Sequence, residues 1–466
     1  MPRTIRLLLF ALVLFARQLH AASPVSDRLL IRGNIVTPQG VIANGWLDIE
    51  HGRIARIAIT RPDLTADVPA LETSDFIFPG FIDLHDHPSF NVFPRWTPPH
   101  KFPNRYAWRE WDVVKTLLET PAAALLKDHS AFCDIDEYVE IKALIGGTTS
   151  MIGFSGHGLA KPQPGCIKGL VRNLDVYTGF YGTEQGHERI VNSIGITSRD
   201  MTPEDVARVR REIAAGAIDL LAIHIAEGLP TDPESAHELD QLDAAGLLTS
   251  HTTLIHSVGL SPSQFARAHR AGASIVWSPR SNLELYGATA NVDAAFRQGV
   301  TIALAPDWSP TGSDNMLDEI KYASDVNRDR LDGLFSSRQL VEMASSIPAR
   351  IAHIDDKVGT LAPGMLADFF LVRHDASNPA NPYEVLVDGS VDNIDLVVIG
   401  GVPVYGEPGF FKELGIKSEL LSICNQSRAL NSAALTAGSF AQVQARLEAK
   451  MHTVGSSLAP LAECVH

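Results

Sequence analysis

From Phe76 onward the chain repeats one unit: a short apolar run ending in polar residues, then a stretch that favours helix. The apolar runs are Phe81–Leu84, Thr148–Ile152, Leu220–Ile225, Thr253–His256, Ser274–Ser278 and Val300–Ala305, with helical stretches at Tyr138–Leu144, Pro203–Ala214, Ser263–Ala271 and Val292–Arg297. Such alternation implies parallel strands joined by crossover helices, with enough units to close a barrel. The strands between Val171 and Ile194 are the least defined. Ahead of the repeat, β-like runs at Leu29–Arg32, Gly45–Glu50 and Ile54–Ile59 are separated by turn residues such as Gly40 and His51-Gly52. Behind it come a helix over Arg338–His353 and strands at Phe369–Val372, Ile394–Ile399 and Val402–Val404. The expected fold is α/β: a (β/α)8 TIM-like barrel over residues 79–361 and a small β-sandwich domain formed from both flanks, 23–78 and 362–408. A C-terminal extension, 409–466, has a helix around Phe440–Lys450 and no legible role.

Composition narrows the function classes. A chain of 466 residues with 45% hydrophobic and 20% charged residues is a packed globular protein, too long for one ordinary core. Its net charge of −15, without runs of Lys or Arg, argues against nucleic acid as a partner. Arg3 and Arg6 precede the apolar run Leu7–Ala16, and small residues follow at Ala21, Ala22 and Ser23. That pattern is expected to be a secretory signal peptide, residues 1–22. The apolar run is too short to cross a bilayer, which takes ~20 residues. An exported protein without stable membrane insertion follows: periplasmic in a bacterium, secreted in a eukaryote. In an oxidising compartment Cys424 would pair with Cys464 and Cys133 with Cys166; four buried thiols are the alternative. A small-molecule substrate fits this profile, and a homo-oligomer is compatible with it.

The strongest local signal is Pro79-Gly80-Phe81-Ile82-Asp83-Leu84-His85-Asp86-His87. Residues two apart on a strand point the same way, so His85 and His87 can chelate one divalent ion. Alone, such a pair is equally a pair of loop histidines. Ligand-type residues recur, however, at later strand ends: His224, with Glu227 three residues on, then His256 and Asp307. Each by itself reads as a helix cap or a satisfied core group. Together they sit at the C-terminal rim, where catalytic groups of a barrel converge. Three histidines and a carboxylate suit zinc or iron(II) rather than calcium or magnesium.

These segments, with Leu254–Leu260, Ser278-Pro279-Arg280-Ser281-Asn282-Leu283 and Asp356–Asp368, resemble the metal-dependent amidohydrolase superfamily over roughly residues 28–405. They look most like its branch of cytosine and guanine deaminases, triazine hydrolases and adenosine-derivative deaminases. The resemblance and the chemistry together imply one divalent ion, zinc first and iron(II) second, held by His85, His87, His224 and Asp307. Asp307 would also take the proton of a water activated by the ion, and Glu227 would shuttle it to the substrate. His256 would orient the water or polarise the developing oxyanion, or else serve as a further ligand. A two-metal site would need a bridging group from the fourth strand, where Glu184 and Glu188 stand without a suitable Lys. The implied enzyme is a hydrolase of non-peptide C–N bonds. Deamination of a heterocyclic amine comes first, and hydrolysis of a cyclic amide, carbamate or ring substituent second. A non-catalytic binding barrel is the remote alternative. Trp308, Asn282, Arg280 and His157 are expected to contact substrate. The insert Pro88–Asp112, rich in aromatic residues and carrying Arg95, Arg105 and Arg109, either lids the site or packs as a long loop.

Overall fold

The structure is a computed structural model that describes residues 27–64, 68–154, 170–175, 189–193, 195–374 and 381–464. Residues 1–22, Cys166, Glu184, Glu188 and His157 therefore lie outside the described residues. Four N-terminal strands come first: β1 (Arg28–Thr37), β2 (Gly40–Glu50), β3 (Arg53–Ala58) and β4 (Ala70–Pro79). The repeat supplies β5 (Phe81–Asp83), β6 (Thr148–Met151), β7 (Arg172–Asn173) and β8 (Ile190–Ser193). It continues with β9 (Leu220–Ile225), β10 (Thr252–His256), β11 (Ser274–Trp277) and β12 (Ile302–Leu304). The chain ends with β13 (Phe369–Val372), β14 (Ile394–Ile399), β15 (Val402–Gly406), β16 (Ser418–Ile423) and β17 (Gln426–Asn431).

Strands β5 to β12 form two parallel arcs, β5-β6-β7 and β8-β9-β10-β11-β12. Pairing does not run all the way round among the described residues. The arcs nevertheless enclose one interior: Ile82, Ile152, Leu174, Ile190, Ala222, Ile255, Val276 and Ala303 share a single apolar cluster. Alternate residues such as Phe81, Ile223, Leu254, Ile275 and Leu304 belong instead to the core beneath the helices, the period of two that a strand imposes. Between β12 and β5 an isolated parallel bridge joins Asp86 to Asp307. There the His87 N–H donates to the Asp307 carbonyl (2.9 Å) and the Asp307 N–H to the His85 carbonyl (3.1 Å).

Both flanks do join, but as one hydrogen-bonded sheet of nine strands, β16-β17-β15-β14-β13-β4-β1-β2-β3, in place of the expected small sandwich. The link is β13 pairing antiparallel with β4, so no break separates early from late strands. Leu29, Leu47, Ile77, Phe369, Val398 and Ala429 share its core. The extension takes part as well, adding β16 and β17 to one edge. Its helix Phe440–Thr453 packs on the helix His129–Leu144, with the Tyr138 and Phe440 rings stacked. The single helix expected over Arg338–His353 is two, Ser337–Glu342 and Ser346–Ile351. The carbonyls of Met343 and Ala344, in the gap, accept from Leu304 and Ile82 N–H groups at the ends of the barrel arcs. Cys424 and Cys464 are disulfide-bonded, and Cys133 is disulfide-bonded too.

Candidate active site

The site is built at the C-terminal ends of β5, β9, β10 and β12. His85, buried completely, places its Nε2 2.9 Å from the Asp307 carboxylate, and His87 Nε2 stands 3.6 Å from the same oxygen. The ring of His85 packs edge-on against those of His87, His224 and His256, at 5.0, 4.7 and 4.9 Å between centroids. Ligand atoms of His85, His87 and His224 lie within 4.8 Å of one another, as do those of His85, His256 and Asp307.

Partners outside the cluster set the ring orientations. His224 Nδ1 is 3.0 Å from the Ser193 carbonyl, which can only accept. The proton is therefore on Nδ1, and Nε2 presents a lone pair to the cluster, the arrangement of a metal-ligating histidine. At His256 the opposite holds. Trp277 Nε1 can only donate, and does so to Thr289 Oγ1 (2.7 Å). The Thr289 hydroxyl then donates to Asn282 Oδ1 (3.3 Å), which leaves the Asn282 amide N–H to donate to His256 Nδ1 (2.9 Å). A neutral His256 thus carries its proton on Nε2, 3.8 Å from Glu227 Oε1. In that tautomer it presents a hydrogen-bond donor to the cavity.

Three of the four strand ends carry residues other than glycine in the left-handed region: Ala226 (φ 55°), His256 (φ 67°), Ser257 (φ 56°) and Asp307 (φ 71°). Such conformations cost energy and concentrate at functional sites. Plain alternation after Ile255 would send His256 outward; the left-handed turn brings it in. The Ala226 N–H donates to Glu238 (2.6 Å), and Glu238 is in turn held by the Arg105 guanidinium and the Tyr106 hydroxyl.

Residues 213–404 match the amidohydrolase family. The chain carries an amidohydrolase family domain. As such it is a hydrolase of carbon–nitrogen bonds. Over 406 residues it is 24% identical to the 5-methylthioadenosine/S-adenosylhomocysteine deaminase of Desulforudis audaxviator, covering 80% of this chain and 92% of that protein. Over 399 residues it is 22% identical to the 5'-deoxyadenosine deaminase of Methanothermobacter thermautotrophicus, covering 81% and 92%. In fold it is similar to a zinc-bound adenosine deaminase from Xanthomonas campestris (TM-score 0.68, 16% identity, 92% of this chain and 98% of that one). It is also similar to an atrazine chlorohydrolase from Arthrobacter aurescens complexed with zinc and atraton (TM-score 0.65, 18% identity, 81% and 95%).

The donor set of this amidohydrolase fits a divalent ion of the zinc type: imidazoles and a carboxylate converge, and the His224 tautomer turns a lone pair inward. Burial governs the titration of the bare chain. It holds His224 and His256 well below the usual histidine range, with neighbouring imidazoles reinforcing the shift. It pushes the Asp307 carboxyl up to about 7, although Ser281 donates to it, and the Glu227 carboxyl up to about 8. Glu227 Oε1 accepts from the Tyr286 hydroxyl (2.5 Å), so this carboxyl has a fixed position and a protonated form within reach of neutral pH.

His87, His224, Glu227, His256 and Asp307 open into one cavity of about 650 Å³. Phe90, Trp108 and Trp308 form its aromatic side, with Trp308 5.6 Å from Phe90 and 5.5 Å from Trp108 between ring centroids. Trp308 lines the cavity beside Asp307. The insert Pro88–Asp112 is divided between the cavity wall and a packed loop. Phe90, Trp108 and Arg109 face the cavity, while Trp96, Phe102 and Trp111 pack with Val258 and Leu285. Arg105 is committed to Asp200 (2.7 Å) and Glu238 (3.3 Å). Arg280 and Asn282 are placed differently from expectation. The Arg280 guanidinium lies over Tyr322 and 3.3 Å from Glu463 of the extension, and Asn282 is spent on His256. Tyr286 and the Trp277–Thr289 pair carry no local motif, and only their packing reveals them.

Proposed function

We propose that this amidohydrolase deaminates an adenosine-like heterocyclic amine, using one zinc ion held by His85, His87, His224 and Asp307. The observation that carries this reading is the meeting, at the base of one cavity, of that ligand set with Glu227 and with a His256 whose Nε2–H points inward. When bound, such an ion lowers the pKa of water toward ~7 and so supplies a nucleophile at neutral pH. Glu227 delivers the proton held at its carboxyl to the ring nitrogen and regains one from the hydroxyl that becomes the carbonyl, while Asp307 accepts the water's proton and returns it to the departing amine. The His256 Nε2–H donates to the oxygen that develops charge on the attacked carbon. The C–N bond breaks, ammonia leaves, and a carbonyl remains. The aromatic faces of Trp108, Trp308 and Phe90 suit a planar ring. Curated relatives named as deaminases of 5-methylthioadenosine, S-adenosylhomocysteine and 5'-deoxyadenosine support the purine class.

The test is ammonia release by the zinc-loaded full chain on amino-purines, amino-pyrimidines and their nucleosides. Turnover of the purine set is expected. No ammonia from any of them, with zinc or iron(II) restored, would sink the reading. We further propose that the protein is exported by residues 1–22, which the disulfides at Cys424–Cys464 and Cys133 support. Fractionation of the native host with N-terminal sequencing checks it; an intact Met1 on a cytoplasmic protein would refute export.

A further inference from the structure

The cavity has a second wall that the chemistry above leaves unused. It is made by the helix His129–Leu144 and by the segment around Val114 and Leu118. Phe132, Asp136 and Glu140 follow one another at intervals of four on that helix, so they share a face. Glu140, deepest, accepts from Asn173 Nδ2 at 2.8 Å. Phe132 and Asp136 line the cavity. Asp136 is 8% exposed, and its Oδ2 is buried with no hydrogen-bond partner among the described residues.

Other buried carboxylates about the site each have a donor. Asp83 takes the His85 N–H, Asp86 the Asn91 amide, Asp307 the Ser281 hydroxyl, Glu227 the Tyr286 hydroxyl and Glu238 the Arg105 guanidinium. No donor reaches Asp136 among the described residues, and burial alone raises its carboxyl, to about 7, with no basic side chain offsetting it. A buried carboxyl without a partner is strongly unfavourable, and in a ligand cavity it marks a place where the ligand supplies the partner.

We propose that Asp136 anchors a cationic amine carried by the substrate on the side away from the bond that is cleaved. A hydroxyl would fill the hydrogen bond but leave the charge uncompensated; an ammonium supplies both. Phe132 and Phe154 offer the aromatic faces that a cation favours, and Val114 and Leu118 an apolar path for the methylenes that link amine to ring. The substrate class is then an amino-heterocycle with an aminoalkyl substituent, a narrowing that rests on the deaminase reading.

The experiment compares three probes on the zinc-loaded full chain: adenine, adenosine, and adenine bearing an aminoalkyl chain at the ribose-linked nitrogen. Calorimetric binding to Glu227→Gln protein is measured beside ammonia release. The aminoalkyl probe is expected to bind at least tenfold more tightly than adenine. Asp136→Asn, isosteric and uncharged, should erase that advantage while leaving adenine binding unchanged. Equal binding of the three probes, a preference for adenosine over the aminoalkyl probe, an unchanged preference in Asp136→Asn, or no binding at all overturns the proposal. An Asp136-dependent preference without any ammonia release retains Asp136 and rejects deamination; ammonia release without the preference does the reverse.

Discussion

At the scale of single residues, the site depends on where protons sit. Glu227 has its carboxyl raised and its position fixed by Tyr286. Replacing it by Gln keeps the shape and removes the acid. Metal content, read by elemental analysis, should be unchanged while turnover falls ~10²–10⁴-fold, the scale of a positioned acid/base group. His256 depends on Asn282, since the amide N–H leaves the imidazole proton on Nε2. In Asn282→Asp the carboxylate accepts instead, which moves the proton to Nδ1 and removes the donor from the cavity. Turnover should fall ~10²-fold or more, and the 15N shifts of the ring, assigned against His256→Gln, should exchange between the two nitrogens. An Nδ1-protonated His256 in the unaltered chain would contradict the relay from Trp277. His85, His87, His224 and Asp307 could be named in advance because each closes an apolar run. The Trp277–Thr289–Asn282 relay could not. Asn282 was expected at the site in another role, while Trp277 and Thr289 are unremarkable on their own elements, and the three meet only through the helix Pro279–Tyr286 and the loop behind it.

At the scale of elements, the helix His129–Leu144 is strongly constrained. Its Glu140 is wholly buried, and burial, only partly offset by Asn173, pushes its carboxyl up to about 8. The folded chain therefore holds this proton more tightly than the unfolded chain, whose carboxyl titrates near 4.5. The stabilisation is full below that value and is lost as pH rises through about 8. Glu140→Gln should flatten the decline in urea midpoint between pH 5 and 8.5; an unchanged slope would show that the decline has another source. The alternation of strands and helices was legible because β9 to β12 are continuous apolar runs with N-capped helices between them. The strand β7 was not, because two residues, Arg172 and Asn173, carry no period. The break between Ser337–Glu342 and Ser346–Ile351 was hidden too, since residues that favour helix give up two carbonyls to distant strands.

At the scale of the whole molecule, the extension reads as structural. Its Glu463 bonds Arg95 of the insert and Arg280 beside the site, and its backbone pairs with Asp314 and Val92. The Cys424–Cys464 bond, across a separation of 40 residues, holds that segment in place. A Cys424→Ser/Cys464→Ser variant should lose about 2–4 kcal/mol of stability, seen as a lower urea midpoint. Unaltered stability would show that the segment stays docked through its other contacts. The Cys424–Cys464 pairing could be read from residues 409–466, but the docking could not, because Arg95, Arg280, Asp314 and Val92 lie elsewhere in the chain. A last consequence concerns biosynthesis. The backbone at His85 and His87 is hydrogen-bonded to Asp307, so the groups proposed to hold the ion are clasped by two segments from opposite ends of the repeat. A nascent chain owns no complete site until Asp307 has left the ribosome, whatever has already folded behind it. On the proposed reading, fragments stopping short of Asp307 should bind no ion, as elemental analysis of truncated chains would show.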